Sequence, residues 1–464
     1  MSKEYLSTCR AYLFLFLAIS FIVNSFVAAV PDFLIIIAAF IAIIISLPRM
    51  SIMPKIMVVL LLFISHVIFF NSGRDYSFWS NTIIESLTYI CLFVSAPLLS
   101  IPIRGGGYIE YFEGLADRYL KNQTFTYTMI AGLSAILGYF MTIGALYIVK
   151  DLFKMKLQEN KRLASEMIIQ GSAIPLLFSP YINGVAIVLS ILGLSLLPFI
   201  FYGIFLAFLF LMIIIIRLSL RSRQELVAAQ DETALTIERD KNSRKTQIPM
   251  NHRLGIQLLI GFTSIFIGVI LLERFLHTSF IIIVTLIAFT VPILWLLFVR
   301  KFTQLKKEIV NYKNNTLPNI YNHMFLIISA IILSKMMQLT RVPDYLSEFL
   351  SSSTGISPLI TIFLIILLIL VPSLLGIHPL ILMVIIATSI SPDLLGLDRT
   401  LFAITITVGY SLSSQLSPLS VLSLVAGNLI GVRPFQLMQW NWKFVLIIVI
   451  AATLFINTMN LMFH

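Results

Sequence analysis

Charge is scarce in this sequence: Asp, Glu, Lys and Arg make up 11% of its 464 residues, against 59% hydrophobic. That balance excludes a soluble domain, because no single core encloses so much apolar side chain behind so little polar surface. Acidic residues are scarcer than basic ones, 21 against 32, and an excess of +11 would by itself suit nucleic acid. The basic residues instead lie in short loops beside apolar segments, as cytoplasmic loops of membrane proteins do, so nucleic acid is not expected as a partner. Cysteine occurs only as Cys9 and Cys91, which excludes a disulfide framework or a cysteine metal site. No His-Glu-x-x-His, Gly-x-Ser-x-Gly or Gly-x-x-x-x-Gly-Lys-Ser/Thr motif occurs, so an enzyme or a nucleotide-driven pump is not indicated.

What is present is a succession of apolar runs. Ala11–Val30, Phe280–Val299 and Asn441–Met462 each match the ~20 residues that cross a hydrocarbon layer as helix. The runs are continuous and not alternating, which excludes transmembrane strands. Lys3 and Arg10 precede the first run as in a signal peptide, but a second run begins after only Pro31-Asp32, so a retained helix is expected. Further spans are read at 33–48, 56–71, 83–102, 163–197, 199–216, 254–272, 278–299, 320–339, 398–431 and 440–461.

Two other apolar segments are interrupted: 118–152 by Gly132 and Gly138, and 356–390 by Pro372, Gly376 and Pro379. A full crossing by 118–152 would separate Lys150, Lys154, Lys156, Lys161 and Arg162 from Arg104, Arg118 and Lys121, against the positive-inside pattern. Re-entrant hairpins at both segments restore it, leaving Arg74, Arg274, Arg341 and Arg399 outside. Lys335, near the outer end of its span, can snorkel to the interface. The expected fold is an all-α polytopic membrane protein with about eleven transmembrane crossings and two re-entrant hairpins. It is expected in the cell membrane, with its N-terminus cytoplasmic and its C-terminus outside.

A shift of 238 residues aligns Gly138 with Gly376, Gly171 with Gly409, Gly193 with Gly431, and Ser179-Pro180 with Ser417-Pro418. The chain therefore divides into an additional N-terminal transmembrane helix at 1–32, a first repeat at 33–216, a cytoplasmic linker at 217–253 and a second repeat at 254–464. Each repeat holds three spans, a hairpin (118–152 or 356–390), a span with an internal proline (163–197 or 398–431) and a final span. An odd number of crossings per repeat makes the two inverted.

Pro180 and Pro418 each remove a backbone donor inside a span, so both helices are expected to break at mid-membrane. Freed backbone groups at that depth, with nearby hydroxyls and amides, are natural ligands for a small cation or an anionic solute. The candidate substrate and ion residues at the breaks are Ser179, Pro180, Asn183, Ser413, Ser414, Gln415, Ser417, Pro418 and Ser420. Hairpin tips contribute Ser134, Gly138 and Thr142 from one repeat and Ser373, Gly376 and His378 from the other. For any one Ser or Thr, a hydroxyl bonded back to its own helix competes with this role. His378 is the most distinctive ionisable candidate, for proton coupling or anion binding, against a neutral buried histidine.

The stretches Gly376-Ile-His-Pro379 and Tyr410-Ser-Leu-Ser-Ser-Gln-Leu-Ser-Pro418 resemble the hairpin tip and broken helix of the ion transporter superfamily of secondary transporters. That group includes divalent-anion/sodium symporters, the large membrane subunit of TRAP transporters, and arsenite and sodium/proton antiporters. The resemblance covers most of residues 33–461 and implies an elevator-like movement of hairpins and broken helices against a fixed scaffold. The paired Ser-Asn-Thr signatures of the sodium-dicarboxylate members are absent. The expectation is an ion-coupled permease of a small polar solute, an organic anion, with no cofactor, Na+ or H+ as coupling ion, and Na+ held at the Ser179 and Ser417 breaks. Its partners would be that solute, the lipid bilayer and a second copy of the chain in a homodimer. A cation/proton antiporter is the near alternative; a membrane-embedded enzyme or a lipid-precursor flippase would be of another class.

Overall fold

In lipid only a helix satisfies all its backbone groups within one segment, and uncharged runs of Leu, Ile, Phe and Ala take that form here. The computed structural model describes residues 3–119, 123–141, 144–154, 160–231, 252–276, 278–354, 357–418 and 420–463. Every regular element among them is a helix. Nine are long and apolar enough to cross a membrane, or ten when Phe302–Asn319 and Tyr321–Met337, bent by 52°, count as one span. The protein is an all-helical, polytopic membrane protein.

The chain begins with α1 (Lys3–Asn24), α2 (Asp32–Ser46), α3 (Ile52–Ser72), α4 (Tyr76–Leu87) and α5 (Ile90–Ser95). Helix α1 stops short of the expected Val30, because Asn24 closes the turn into α2: its amide donates to the Val30 carbonyl at 2.6 Å and accepts from the Val30 N–H at 2.9 Å. Short α6 (Ser100–Gly105) and α7 (Tyr108–Tyr119) lead to the pair α8 (Gln123–Met141) and α9 (Gly144–Leu152), then α10 (Lys161–Ala173), α11 (Asn183–Leu192) and α12 (Leu196–Asp231). The rest is α13 (His252–Phe275), α14 (Phe280–Phe298), α15 (Phe302–Asn311), α16 (Tyr321–Met337), α17 (Val342–Thr354), α18 (Pro358–Leu374), α19 (Pro379–Ser389), α20 (Arg399–Leu416), α21 (Val421–Ile430) and α22 (Pro434–Phe463).

The boundary read at 216 falls inside a helix, since α12 continues to Asp231; residues 232–251 of the expected linker lie outside the described residues. One cause is Glu166, fully buried on α10, which is paired with Arg217 at 3.6 Å and Arg221 at 2.9 Å on α12, and with Arg162 at 3.0 Å. A carboxylate so enclosed needs charged partners, and the extended α12 supplies two.

Helix α8 lies along α10, and α18 along α20, each pair meeting at a glycine. A Cβ on Gly171 would collide with the Ala131 backbone, and one on Gly409 would stand 2.9 Å from Ile369 Cδ1. Both glycines and both neighbours keep the spacing seen in sequence. The second half-helices exchange partners: α11 packs on α19 and α20, and α21 on α9 and α10. Around this body stand α3, α4, α5, α14 and α16, with α16 touching α19 and α14 touching α11.

Candidate functional site

The two helix breaks are built by the same turn. After α10, Pro175 tightens the chain into a 3-10 turn at Ile174–Leu177, and the backbone leaves the helix until Asn183. After α20 the chain leaves at Ser417 and resumes at Val421. The Ser179 N–H donates to the Pro175 carbonyl at 2.9 Å, as the Ser417 N–H does to Ser413 at 2.7 Å. The Ile182 N–H donates to Ser179 at 3.2 Å, as Ser420 does to Ser417 at 3.2 Å. Both second half-helices end on a left-handed glycine, Gly193 with φ 61° and Gly431 with φ 68°, which closes their last carbonyls. The breaks touch directly, the Ser411 hydroxyl donating to the Ala173 carbonyl at 2.8 Å.

Buried polar atoms without a hydrogen-bond partner among the described residues gather here. At the first break they are Ser179 Oγ and Asn183 Oδ1, joined by Ser172 Oγ, Gln170 Oε1, Tyr181 OH and Tyr139 OH. At the second they are Ser413 Oγ, Gln415 Oε1 and Ser417 Oγ. Pro180 is buried in the first turn and Pro418 half-buried in the second. Other candidates are already satisfied. Ser414 bonds back to Tyr410 at 2.8 Å, while Ser420 donates to the Ser414 carbonyl at 2.6 Å and caps α21 by accepting from the Ser423 N–H at 3.0 Å. Ser134 and Ser373 donate back to the Ile130 and Leu370 carbonyls, both at 2.7 Å, which leaves their oxygens only an acceptor role.

The hairpin tips differ. In the second, Gly376 with φ 99° turns the chain between α18 and α19, and His378 caps α19, its Nδ1 accepting from the Leu380 N–H at 3.3 Å. His378 Nε2 is buried without a partner among the described residues, and the ring lies 5.9 Å from that of His323 on α16. In the first, Gly138 is not at a tip: it sits inside α8, packed beside Ser172 and Pro175 at the break, with room for an added Cβ at ordinary contact distance. Thr142 lies outside the described residues.

Gln170, Ser172, Tyr139 and Tyr181 were missed in the sequence, although Gln170 and Ser172 flank the aligned Gly171 and Tyr181 follows the Ser-Pro pair. Gln170 is fixed by its amide donating to Asn441 Oδ1 on α22 at 2.9 Å. Neither broken helix carries an acidic residue from Met167 to Leu192 or from Arg399 to Ile430. The site is therefore a neutral set of hydroxyls, amides and carbonyls, and among the described residues no group of three or more His, Cys, Asp or Glu stands together to hold a metal.

Residues 153–461, about two-thirds of the chain and including both breaks, match the family model described as the tripartite ATP-independent periplasmic transporter, DctM component. The chain belongs to this DctM family. It is thus a membrane component of a secondary transporter. The first break, the second hairpin and the second break all fall within the matched part of this DctM-family chain. No curated protein matches the chain. Among solved structures it is similar to the YdaH transporter of Alcanivorax borkumensis, with 14% identity, a TM-score of 0.49, and coverage of 79% of this chain and 84% of that one.

Proposed function

We propose that this chain carries a small organic anion across the cell membrane by alternating access, coupled to Na+ or H+, with the two helix breaks as its binding centre. The observation that supports this most is the concentration of unpaired buried polar atoms at both breaks in a region without a carboxylate. A buried group without a partner costs roughly 1–3 kcal/mol, so nine of them around one pair of turns argue for ligands that complete them. A neutral donor set also favours binding a cation and an anion together, because each offsets the desolvation of the other. That is the elementary requirement of a symporter.

In this reading Ser179 and Ser417, with adjacent carbonyls, hold the cation, while Asn183, Gln415 and the tip around Gly376 and His378 face the solute. The repeats 33–216 and 254–464 lie inverted, with the hairpins entering from opposite sides and the N-terminus cytoplasmic. Placement in the wider ion transporter superfamily rests on the tip Gly376–Pro379 and the stretch Tyr410–Pro418. A tripartite assembly implies two further components, one of them periplasmic. A cation/proton antiporter is disfavoured by the lack of an Asp or Glu at either break.

Uptake of organic anions into proteoliposomes tests the reading. Transport should follow an imposed Na+ or proton gradient, and Ser179→Ala or Ser417→Ala should slow it about tenfold or more while leaving folded protein intact. Uptake indifferent to both gradients would refute coupling, and wild-type rates in both variants would remove these serines from the site.

A further inference from the structure

A second polar feature lies away from the breaks. A cavity of about 680 Å3 opens between α4, α14 and α16 on one side and α11 and α19 on the other. Its volume suits a small-molecule ligand. Asn81 and Glu85 line it from α4, Lys335 from α16, Gln338 from just beyond α16, Ser190 from α11 and Thr388 from α19. The Lys335 ammonium is paired with the Glu85 carboxylate on the same wall of the cavity. Asn81, Glu85 and Gln338 are exposed, and the polar turn Gly73-Arg74-Asp75 precedes α4 at this end of the fold.

The cavity also follows a seam. Its walls are joined by the side chains of Ser334 and Thr388, by the Gln338 amide donating to the Thr388 carbonyl at 3.3 Å, and by the Tyr89 hydroxyl donating to Ser190 at 3.5 Å. Each contact links the helices around the body to a half-helix or hairpin arm that reaches the breaks. Lys335 supplies the one ammonium that lines this cavity, and the half-helix and hairpin arm that form its far wall, α11 and α19, are the ones that run on to the first break and to the second hairpin tip.

We infer that this cavity is an entry site for an anionic solute, in which Lys335 is the cation that the solute's carboxylate or sulfonate engages and Glu85 the carboxylate it displaces. The inference rests on the organic-anion reading above. An internal carboxylate holding the ammonium leaves the cavity electrically neutral at rest and makes a second anion compete for it. Removing Glu85 should therefore favour anions, and removing Lys335 should disfavour them, whereas a pair that only braced α4 against α16 would weaken the protein equally from either side.

The test uses the full-length protein with Cys9 and Cys91 replaced by Ser and a single Ser190→Cys on the wall opposite Lys335. The probes are a sulfonate-bearing methanethiosulfonate and its trimethylammonium counterpart, and the readout is the ratio of their labelling rates. Glu85→Gln should raise the anion-to-cation ratio, Lys335→Gln should lower it, each by about tenfold, and Lys335→Arg should leave it near its starting value. A ratio unmoved by Lys335→Gln, or moved alike by both neutralising variants, overturns the inference; a variant that fails to fold is replaced by Lys335→Met on the same criterion. Labelling reads the cavity without any transported solute, so a failure here is distinct from a failure of the anion-uptake assay. In that assay Lys335→Gln should raise KM for the anion with kcat little changed.

Discussion

Glycine serves two purposes in this chain, and only the surroundings of each residue tell them apart. Gly376 supplies a positive φ at the hairpin tip, whereas Gly171 and Gly409 supply the absence of a side chain where one helix presses on another. Gly171→Ala should destabilise the protein by about 1–3 kcal/mol, because the new methyl meets the rigid Ala131 backbone. Gly132→Ala, on the same helix as Ala131 but with nothing within 4 Å of the added carbon, should be neutral or gain up to ~1 kcal/mol. Thermal unfolding in detergent separates the two, and equal midpoints would contradict the close approach. The sequence alignment found Gly171 and Gly409 by position but misread Gly138 as a turn, since a glycine looks the same in sequence whether it bends a chain or admits a neighbour. The Ser-Pro breaks were legible because the same pair recurs at the same spacing: proline alone does not decide, since Pro292 and Pro372 sit inside the continuous helices α14 and α18.

Between elements, the decisive contacts are ion pairs that hydropathy cannot see. Glu166 holds three arginines from two helices, and Lys335, which alone in its span looked free to reach the interface, meets Glu85 on α4. Partners 55 and 250 residues apart in sequence leave no local pattern; a lone charge in an apolar segment is the one available sign. Glu166→Gln should cost about 3 kcal/mol or more, because the buried end of Arg217 keeps its charge and loses its counter-charge. Chemical denaturation of the purified protein measures this, and a loss below 1 kcal/mol would show that water, not Glu166, stabilises the cluster. The variant should also loosen the last turns of α12, which hydrogen exchange of residues 217–231 would report.

For the molecule as a whole, loop charge predicts an orientation and a fixed spacing predicts a repeat, yet neither says which helices touch. The inverted arrangement proposed above makes a direct demand on the two membrane faces. In the cysteine-free background, Lys154→Cys and Leu394→Cys should be labelled by impermeant reagents from opposite sides, and labelling from one side would refute it. The exchange of partners, with α11 on α19 and α21 on α9, was not legible, because it depends on how the two stretches cross in space. It also bears on how the protein is made. The bond from Ser411 to Ala173 joins residues 238 apart, so at ~5–20 residues per second the ribosome needs roughly 10–50 s to deliver the donor after the acceptor has emerged. The half-helices of the first repeat wait that long with polar groups uncovered, and the centre is assembled only once synthesis has reached the last eighth of the chain.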